Sequence, residues 1–501
     1  MNYNIDIKKS LKYVYQKQKE LTILGGIGSL LGWDQMTYMP SDGAIDRAEQ
    51  TAFLSKISHR KIISETLWRH LQYLSKESNF ETLNERDQIV VKRLKKDVEK
   101  ARKIPTSFVE KLSKTTIASY QKWEEAKNRS NFKIFEPYLR KIVELKKEYA
   151  SYINLPSSPY NSLLDDYEEG MRVNKLEEEF SYLESNLTRL FEKIRNSNRY
   201  QKQENLNIKI SPYKQRRLCE FIIKTIGLPK EKTRIDESMH PFTISIGYND
   251  VRITTSFKKE NPLASIFATI HESGHALYEL GLPQDIYKYT VISEAPSLGI
   301  HESQSRFWEN MIGRSREFWQ YLTPIIRKTT GDIEWYRIVN QVKPSPIRVE
   351  ADELTYSLHI ILRFELERKL IEDKIEVEDL PEIWREKMDK LLGTTPKDDR
   401  EGVLQDMHWS EGNIGYFPTY AIGNIYAAQL FQKLLEEKPE VKEDIQKGIF
   451  TSILGWLRNN VHRYGRMMTA DEIIKNTCGE GLKAETFISY LKDKYFELYE
   501  I

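Results

Sequence analysis

Cysteine is almost absent from this chain. Cys219 and Cys478 are the only two, far apart and outside any metal-ligand spacing, which excludes a disulfide framework and fits a reducing compartment. Proline (18) and glycine (23) are thinly spread over 501 residues, and no Pro/Gly/Ser-rich linker, low-complexity tract or internal repeat divides the chain. One continuous body is expected, although length alone would suggest about three domains. Long apolar runs are missing too. Residues 1–20 are polar and lack the core of a secretory signal, and the apolar stretch 21–33 is glycine-rich and too short to span a bilayer. Nor is there an excess of one charge: 76 Lys+Arg against 74 Asp+Glu leaves +2, with no general attraction for nucleic acid. The basic run Lys92-Arg93-Leu94-Lys95-Lys96 alternates with acids over the following turns and reads as a solvated helix face. These absences predict a cytoplasmic protein with neither membrane nor nucleic-acid partners.

What is present is helical periodicity. Apolar residues recur at helical spacing over residues 11–31, 44–74, 84–102, 105–129, 135–152, 175–196 and 211–226. The pattern resumes over 297–312, 315–329, 333–342, 347–370, 381–392, 419–436, 441–462 and 470–498, the last with a break near Cys478-Gly479. Residues 156–170, with two prolines and paired acids, read as a loop. Only residues 243–255 alternate as strands do, with Gly247-Tyr248-Asn249-Asp250 as turn chemistry between them, and they predict one β-hairpin. The fold class is mainly α. The hairpin leads directly into the chemistry, and an exposed edge strand there could pair with an extended peptide through main-chain hydrogen bonds.

The chemistry lies in His271-Glu272-Ser273-Gly274-His275. Asn261 at an N-cap position, Pro262 at the first helical position, and Gly281 with Pro283 as a stop signal predict a helix here. Residues four apart share a helical face, so His271 and His275 can reach one ion while Glu272, about 100° round, addresses a water beside it. A catalytic zinc takes three protein ligands and keeps one position open. Glu294 and Glu302 are both candidates for the third.

The motif followed by His301-Glu302-Ser303-Gln304 resembles the carboxypeptidase Taq family of metallocarboxypeptidases. Further signatures of that family follow in order: His240-Pro241-Phe242, Asp250-Val251-Arg252-Ile253-Thr254, Ile347-Arg348-Val349-Glu350-Ala351-Asp352 and Gly402-Val403-Leu404-Gln405-Asp406-Met407-His408-Trp409. Trp33-Asp34-Gln35 with Thr37-Tyr38-Met39-Pro40 is similar to its N-terminal segment. The resemblance implies a gluzincin peptidase fold, thimet- or neurolysin-like, with a deep groove. It implies a single peptidase domain over residues 1–501, with 1–150 as a helical cover, 240–420 carrying the metal and substrate site, and 421–501 as C-terminal helices. It further implies a homodimer and a peptide substrate with a free C-terminus.

The resemblance makes Glu302 the third ligand, with His301 a neighbour and Glu294 a capping or supporting residue. The metal would be Zn2+, with Co2+ an alternative activating ion for the same donors. Such an ion lowers the pKa of water from about 15.7 towards about 7. Glu272 would take the proton and later deliver it to the leaving amine. His408 and Tyr420 are the candidate oxyanion donors, with Tyr416 the rival to Tyr420, since related gluzincins place a histidine and a tyrosine downstream. Arg348 would hold the terminal carboxylate in its planar fork. Arg252 would limit how far a substrate extends, or equally form an ion pair with Asp250. His240 would line the cleft or brace the hairpin. The expected activity is release of single amino acids from peptide C-termini. The alternatives are an oligoendopeptidase or dipeptidyl carboxypeptidase on the same fold, and a non-catalytic peptide-binding protein.

Overall fold

A computed structural model describes residues 6–202, 208–331 and 333–501; the first five residues of the polar N-terminal stretch lie outside them. Helix Ile7–Thr37 starts at Asp6, whose carboxylate accepts from the Lys9 amide at 2.7 Å. It runs unbroken through the glycine-rich segment, where Gly26 leaves room for a neighbour. The backbone oxygen of Ile246 lies 2.4 Å from where a Cβ on Gly26 would sit. The predicted helix over 44–74 is two, Ala44–Ile62 and Glu65–Leu74, because Ser64 turns out of the helix and caps the second through the Leu67 amide. Asn84 caps Glu85–Arg102 in the same way, accepting from Asp87 at 2.9 Å.

These N-terminal helices share a small core of Val14, Leu67, Leu71, Leu74, Leu83, Val91, Leu94 and Val98. The main core is separate and runs from Phe108 to Tyr499. Ala44–Ile62 buries none of its residues. Among the described residues no helix is long and apolar enough to cross a membrane.

The sheet has three strands, not the predicted two. β1 (Thr233–Glu237), β2 (Thr243–Gly247) and β3 (Asp250–Thr255) lie in the order β1-β3-β2. The expected hairpin is β2 with β3, antiparallel with Thr243 opposite Ile253, and β1 joins parallel with Thr233 opposite Val251. β1 carries one apolar residue, Ile235, among charged and polar ones, so it shows no strand pattern; it is a strand because β3 offers it hydrogen bonds. β2 is an edge strand, and both the Ile7–Thr37 helix and the Pro262–Glu279 helix pack against it.

Three further expectations change. The supposed loop at 156–170 contains a buried helix, Pro159–Leu164, capped by Ser158. The supposed helix over 347–370 is a 3-10 turn, Arg348–Glu350, followed by the helix Tyr356–Ile371. The Asp352 carboxylate takes the amides of Lys343 and Thr355 and the Thr355 hydroxyl, a local network that competes with helix hydrogen bonds. Arg348 and Asp352 therefore do not share a helix face. The supposed helix over 441–462 breaks at Gly448 (φ +74°) into Val441–Gln446 and Thr451–Asn460.

Two close approaches position the functional site. Helix Leu298–Arg306 crosses the Pro262–Glu279 helix at Gly274, where an added Cβ would sit 2.5 Å from the Gln304 carbonyl oxygen. On its other side helix Pro418–Glu437 presents Gly423, where a Cβ would fall 2.5 Å from the Glu302 Cγ. Leu298–Arg306 then passes into a π-helical turn, Phe307–Ile312, a widening found often at functional sites.

Candidate metal and peptide site

The Glu302 carboxylate is wedged between those two glycine-bearing helices and faces both motif histidines. Its Oε2 lies 3.7 Å from the His271 Nε2 and 3.4 Å from the His275 Nε2. The donor atoms of His271, His275 and Glu302 all fall within 4.8 Å of one another. The opposite ring nitrogens are engaged: the His271 Nδ1 meets the Glu309 carboxylate at 2.9 Å, and the His275 Nδ1 meets the His301 carbonyl at 3.1 Å. A carboxylate or carbonyl oxygen at Nδ1 favours the proton there, which leaves the Nε2 lone pair to face inward, the tautomer a metal ligand needs. His301 stands behind His275, its Nδ1 2.6 Å from the His275 Nδ1 and its Nε2 on Glu279 at 2.8 Å. Glu294 bonds Arg466 at 3.0 Å, outside the cluster.

Burial pushes the His271 imidazole down, but Glu302 and Glu309 outweigh it and pull it up. Two carboxylates, Glu302 and Glu309, thus face this ring from its two nitrogens. Burial, with His301 adding to it, drives His275 down to about 3 and keeps it neutral. Glu302 is opposed by burial, yet Arg306 and His271 hold it below the usual carboxylate range. The Arg306 Nε donates to the Glu302 Oε1 at 2.6 Å, and Ser305 donates to Oε2 at 3.1 Å. Glu309 is held down to about 2 against burial by the His271 bond, Arg306 and Arg314. Two histidines with inward lone pairs and an ionised carboxylate match the donor set of a divalent ion.

Glu272 lies beside this cluster. Its Oε2 accepts from the Thr243 hydroxyl of β2 at 2.7 Å. Burial raises its carboxyl above the usual value, with His271 and Thr243 opposing. A carboxyl shifted upward gives and takes protons more evenly near neutral pH.

A second cluster forms around Asp406. Arg348 is buried, donating from Nε and Nη2 to the Asp406 Oδ1 at 3.1 and 2.7 Å and from Nη1 to the Tyr356 hydroxyl at 3.0 Å. Arg363 holds the Asp406 Oδ2 at 2.8 and 2.5 Å. Burial opposes ionisation of Asp406, but the two arginines hold its carboxyl far below the usual range. His408, pushed down by burial to about 4, is neutral, and its Nε2 lies 3.2 Å from the Tyr420 hydroxyl. Tyr416 packs edge-on to Tyr420 at 5.4 Å between ring centres. The cationic carbon of Arg348 lies 5.1 Å from the Tyr420 ring centre.

The remaining two candidates sit on the sheet side. Arg252 grips Asp250 with two bonds, 2.9 and 2.8 Å, and stacks 4.2 Å from the Trp33 ring centre, so the anticipated ion pair is formed. The His240 residue is exposed, and its held group is the backbone carbonyl, which accepts from the Ser238 hydroxyl at 2.6 Å.

Sequence reasoning missed Glu309, Arg306, Thr243, Tyr356 and Arg363, and gave Asp406 no role. Glu302, Arg306 and Glu309, spaced four and three apart, would have shown themselves as one charged face on an otherwise buried helix.

The family model described as carboxypeptidase Taq (M32) metallopeptidase matches residues 13–495. Thermostable carboxypeptidase 1 of Pyrococcus furiosus is 38% identical over 497 residues, covering 97% of this chain and 98% of that protein. Carboxypeptidase 1 of Bacillus subtilis is 37% identical over 478 residues, covering 94% of this chain and 95% of that protein. The crystal structure of the M32 carboxypeptidase from Deinococcus radiodurans R1 superposes with a TM-score of 0.93 at 35% identity, covering 98% of this chain and 100% of that one. The helical body is thus shared with these relatives: the chain belongs to the carboxypeptidase Taq (M32) family and is a metal-dependent carboxypeptidase.

Proposed function

We propose that this enzyme releases single amino acids from peptide C-termini with Zn2+ held by His271, His275 and Glu302, Co2+ suiting the same donors. The observation that carries the reading is the convergence of both Nε2 atoms on one Glu302 oxygen, with Nδ1 partners fixing each tautomer. A divalent ion there supplies Lewis acidity to a carbonyl and acidifies water.

The chain's own residues do the rest. Glu272, aimed by Thr243, takes a proton from the attacking water and hands it to the departing amine. Tyr420, whose hydroxyl is oriented by the neutral His408, donates to the developing oxyanion, with Tyr416 behind it. Arg348 binds the terminal carboxylate with the guanidinium edge that Asp406 leaves open. Arg252 and Trp33 close the groove beside β2 and limit substrate extension, and His240 borders it. β2 offers its edge to the peptide main chain.

The wider reading is a single peptidase domain over residues 1–501 on a thimet- or neurolysin-like gluzincin fold, with 1–150 as cover, 240–420 carrying the site and 421–501 completing the core. A cytoplasmic homodimer fits the two free cysteines and the family resemblance.

The test is to follow a peptide ladder by mass spectrometry with metal-free protein, then with Zn2+ or Co2+ added. One-residue steps from a free C-terminus, appearing only with metal, are expected. Internal cleavage of a C-terminally amidated peptide at full rate would instead make the enzyme an oligoendopeptidase.

A further inference from the structure

The two clusters are joined by a chain of buried contacts. Arg306 donates from Nε to the Glu302 Oε1 at 2.6 Å, and its cationic carbon lies 4.3 Å from the centre of the Tyr356 ring. The Tyr356 hydroxyl accepts from the Arg348 Nη1 at 3.0 Å. Tyr356 itself is fixed at the first turn of its helix by the Asp352 turn, its amide donating to the Asp352 carbonyl at 3.0 Å.

At one end of this chain, Arg306 occupies the Glu302 Oε1, so Oε2 is the oxygen turned to the histidines. At the other end, Arg348 touches Asp406 through one oxygen, Oδ1, which receives both Nε and Nη2. A planar guanidinium held on a single oxygen can still pivot about it. The Tyr420 and Phe417 rings lie beside it, and the Tyr356 hydroxyl supplies the second hydrogen-bonded fixed point that sets its plane.

We propose that Arg306 and Tyr356 are positioning residues that lock the carboxylate receptor Arg348 to the metal ligand Glu302, setting the span between cleaved bond and terminal carboxylate. The proposal rests on the reading of Arg348 as that receptor, and the experiment separates the two. Full-length metal-loaded protein is assayed with an N-acylated tripeptide bearing a free C-terminus, using Tyr356→Phe, Arg348→Lys and the double variant, each checked by thermal melting. Tyr356→Phe keeps the stack and removes only the hydroxyl. KM should rise about fivefold to tenfold with kcat nearly unchanged, the signature of lost uniform binding. The same change in the Arg348→Lys background should add nothing.

If Arg348→Lys raises KM and Tyr356→Phe does not, the bridge is overturned and the receptor stands. If Arg348→Lys leaves KM unchanged, the receptor reading itself fails. A second arm needs no turnover: Co2+ is titrated into metal-free wild type and Arg306→Lys, following visible absorption. Freeing the Glu302 Oε1 should change the cobalt spectrum and weaken binding about tenfold. An identical spectrum and affinity would overturn the Arg306 half.

Discussion

At the residue scale, the proposed division of labour separates metal binding from proton transfer, and the two can be removed independently. Glu272 touches neither histidine ring through a hydrogen bond; its side-chain partner is Thr243. Glu272→Gln should therefore retain metal while kcat falls about 10²- to 10⁴-fold, checked by elemental analysis alongside steady-state kinetics. Glu309 is the converse. It is far from Glu272 in sequence and fixes the His271 ring, so Glu309→Gln should weaken metal affinity about 10- to 100-fold, read by competition with a chromogenic chelator. The convergence of His271 and His275 was legible in the sequence because a helix imposes a fixed spacing on them. Glu309 shares a charged face with Glu302 and Arg306, but its bond to His271 was not legible, because it comes from a π-helical turn on another helix and meets the ring only on folding. Arg348 was legible as a motif residue, but its surroundings were misread. The turn set by Asp352 is side-chain chemistry that helical periodicity does not register.

At the element scale, the site depends on how closely helices approach. Gly274 stands inside the His271–His275 motif, and the contact it permits became visible only in three dimensions. Gly274→Ala places a methyl 2.5 Å from the Gln304 oxygen and 2.7 Å from the Ser305 Cα, and backbone cannot swing aside as a side chain would. We expect a loss of about 1–3 kcal/mol in stability, measured by denaturant unfolding of the metal-free protein, with weaker metal binding because Glu302 rides the displaced helix. A variant as stable as wild type would mean that the helices separate freely. β1 illustrates the opposite limit of legibility. Its sequence has almost no strand character, and its conformation is set by a neighbour thirteen or more residues later in the chain.

At the scale of the whole molecule, the supporting charges link the fold to pH. Glu168 is buried where it accepts the Gly299 amide at the start of the Glu302 helix, and burial raises its carboxyl to about 8. A folded-state pKa above the unfolded value means that the native protein holds the extra proton. Stability from this group is present at low pH and is lost as pH rises from about 4.5 to about 8. Glu168→Gln mimics the protonated form, so the difference in melting temperature from wild type should be small at pH 5 and should favour the variant at pH 8.5. The main helical body was predictable from periodicity; this coupling was not, since residue 168 falls in a segment that reads as loop and meets residue 299 only on folding.

The Asp406 cluster has one more consequence. Two guanidiniums, Arg348 and Arg363, surround one carboxylate, so the trio carries a single uncompensated positive charge in a buried place. A charge left alone in such surroundings is costly, and one carboxylate from outside cancels it. On the proposed reading of Arg348, a bound peptide carboxylate would bring the trio to neutrality. Small monocarboxylates that cannot be cleaved should raise the melting temperature of the wild type but not that of Arg348→Met. The end of a peptide chain would then be the missing counterion of the fold.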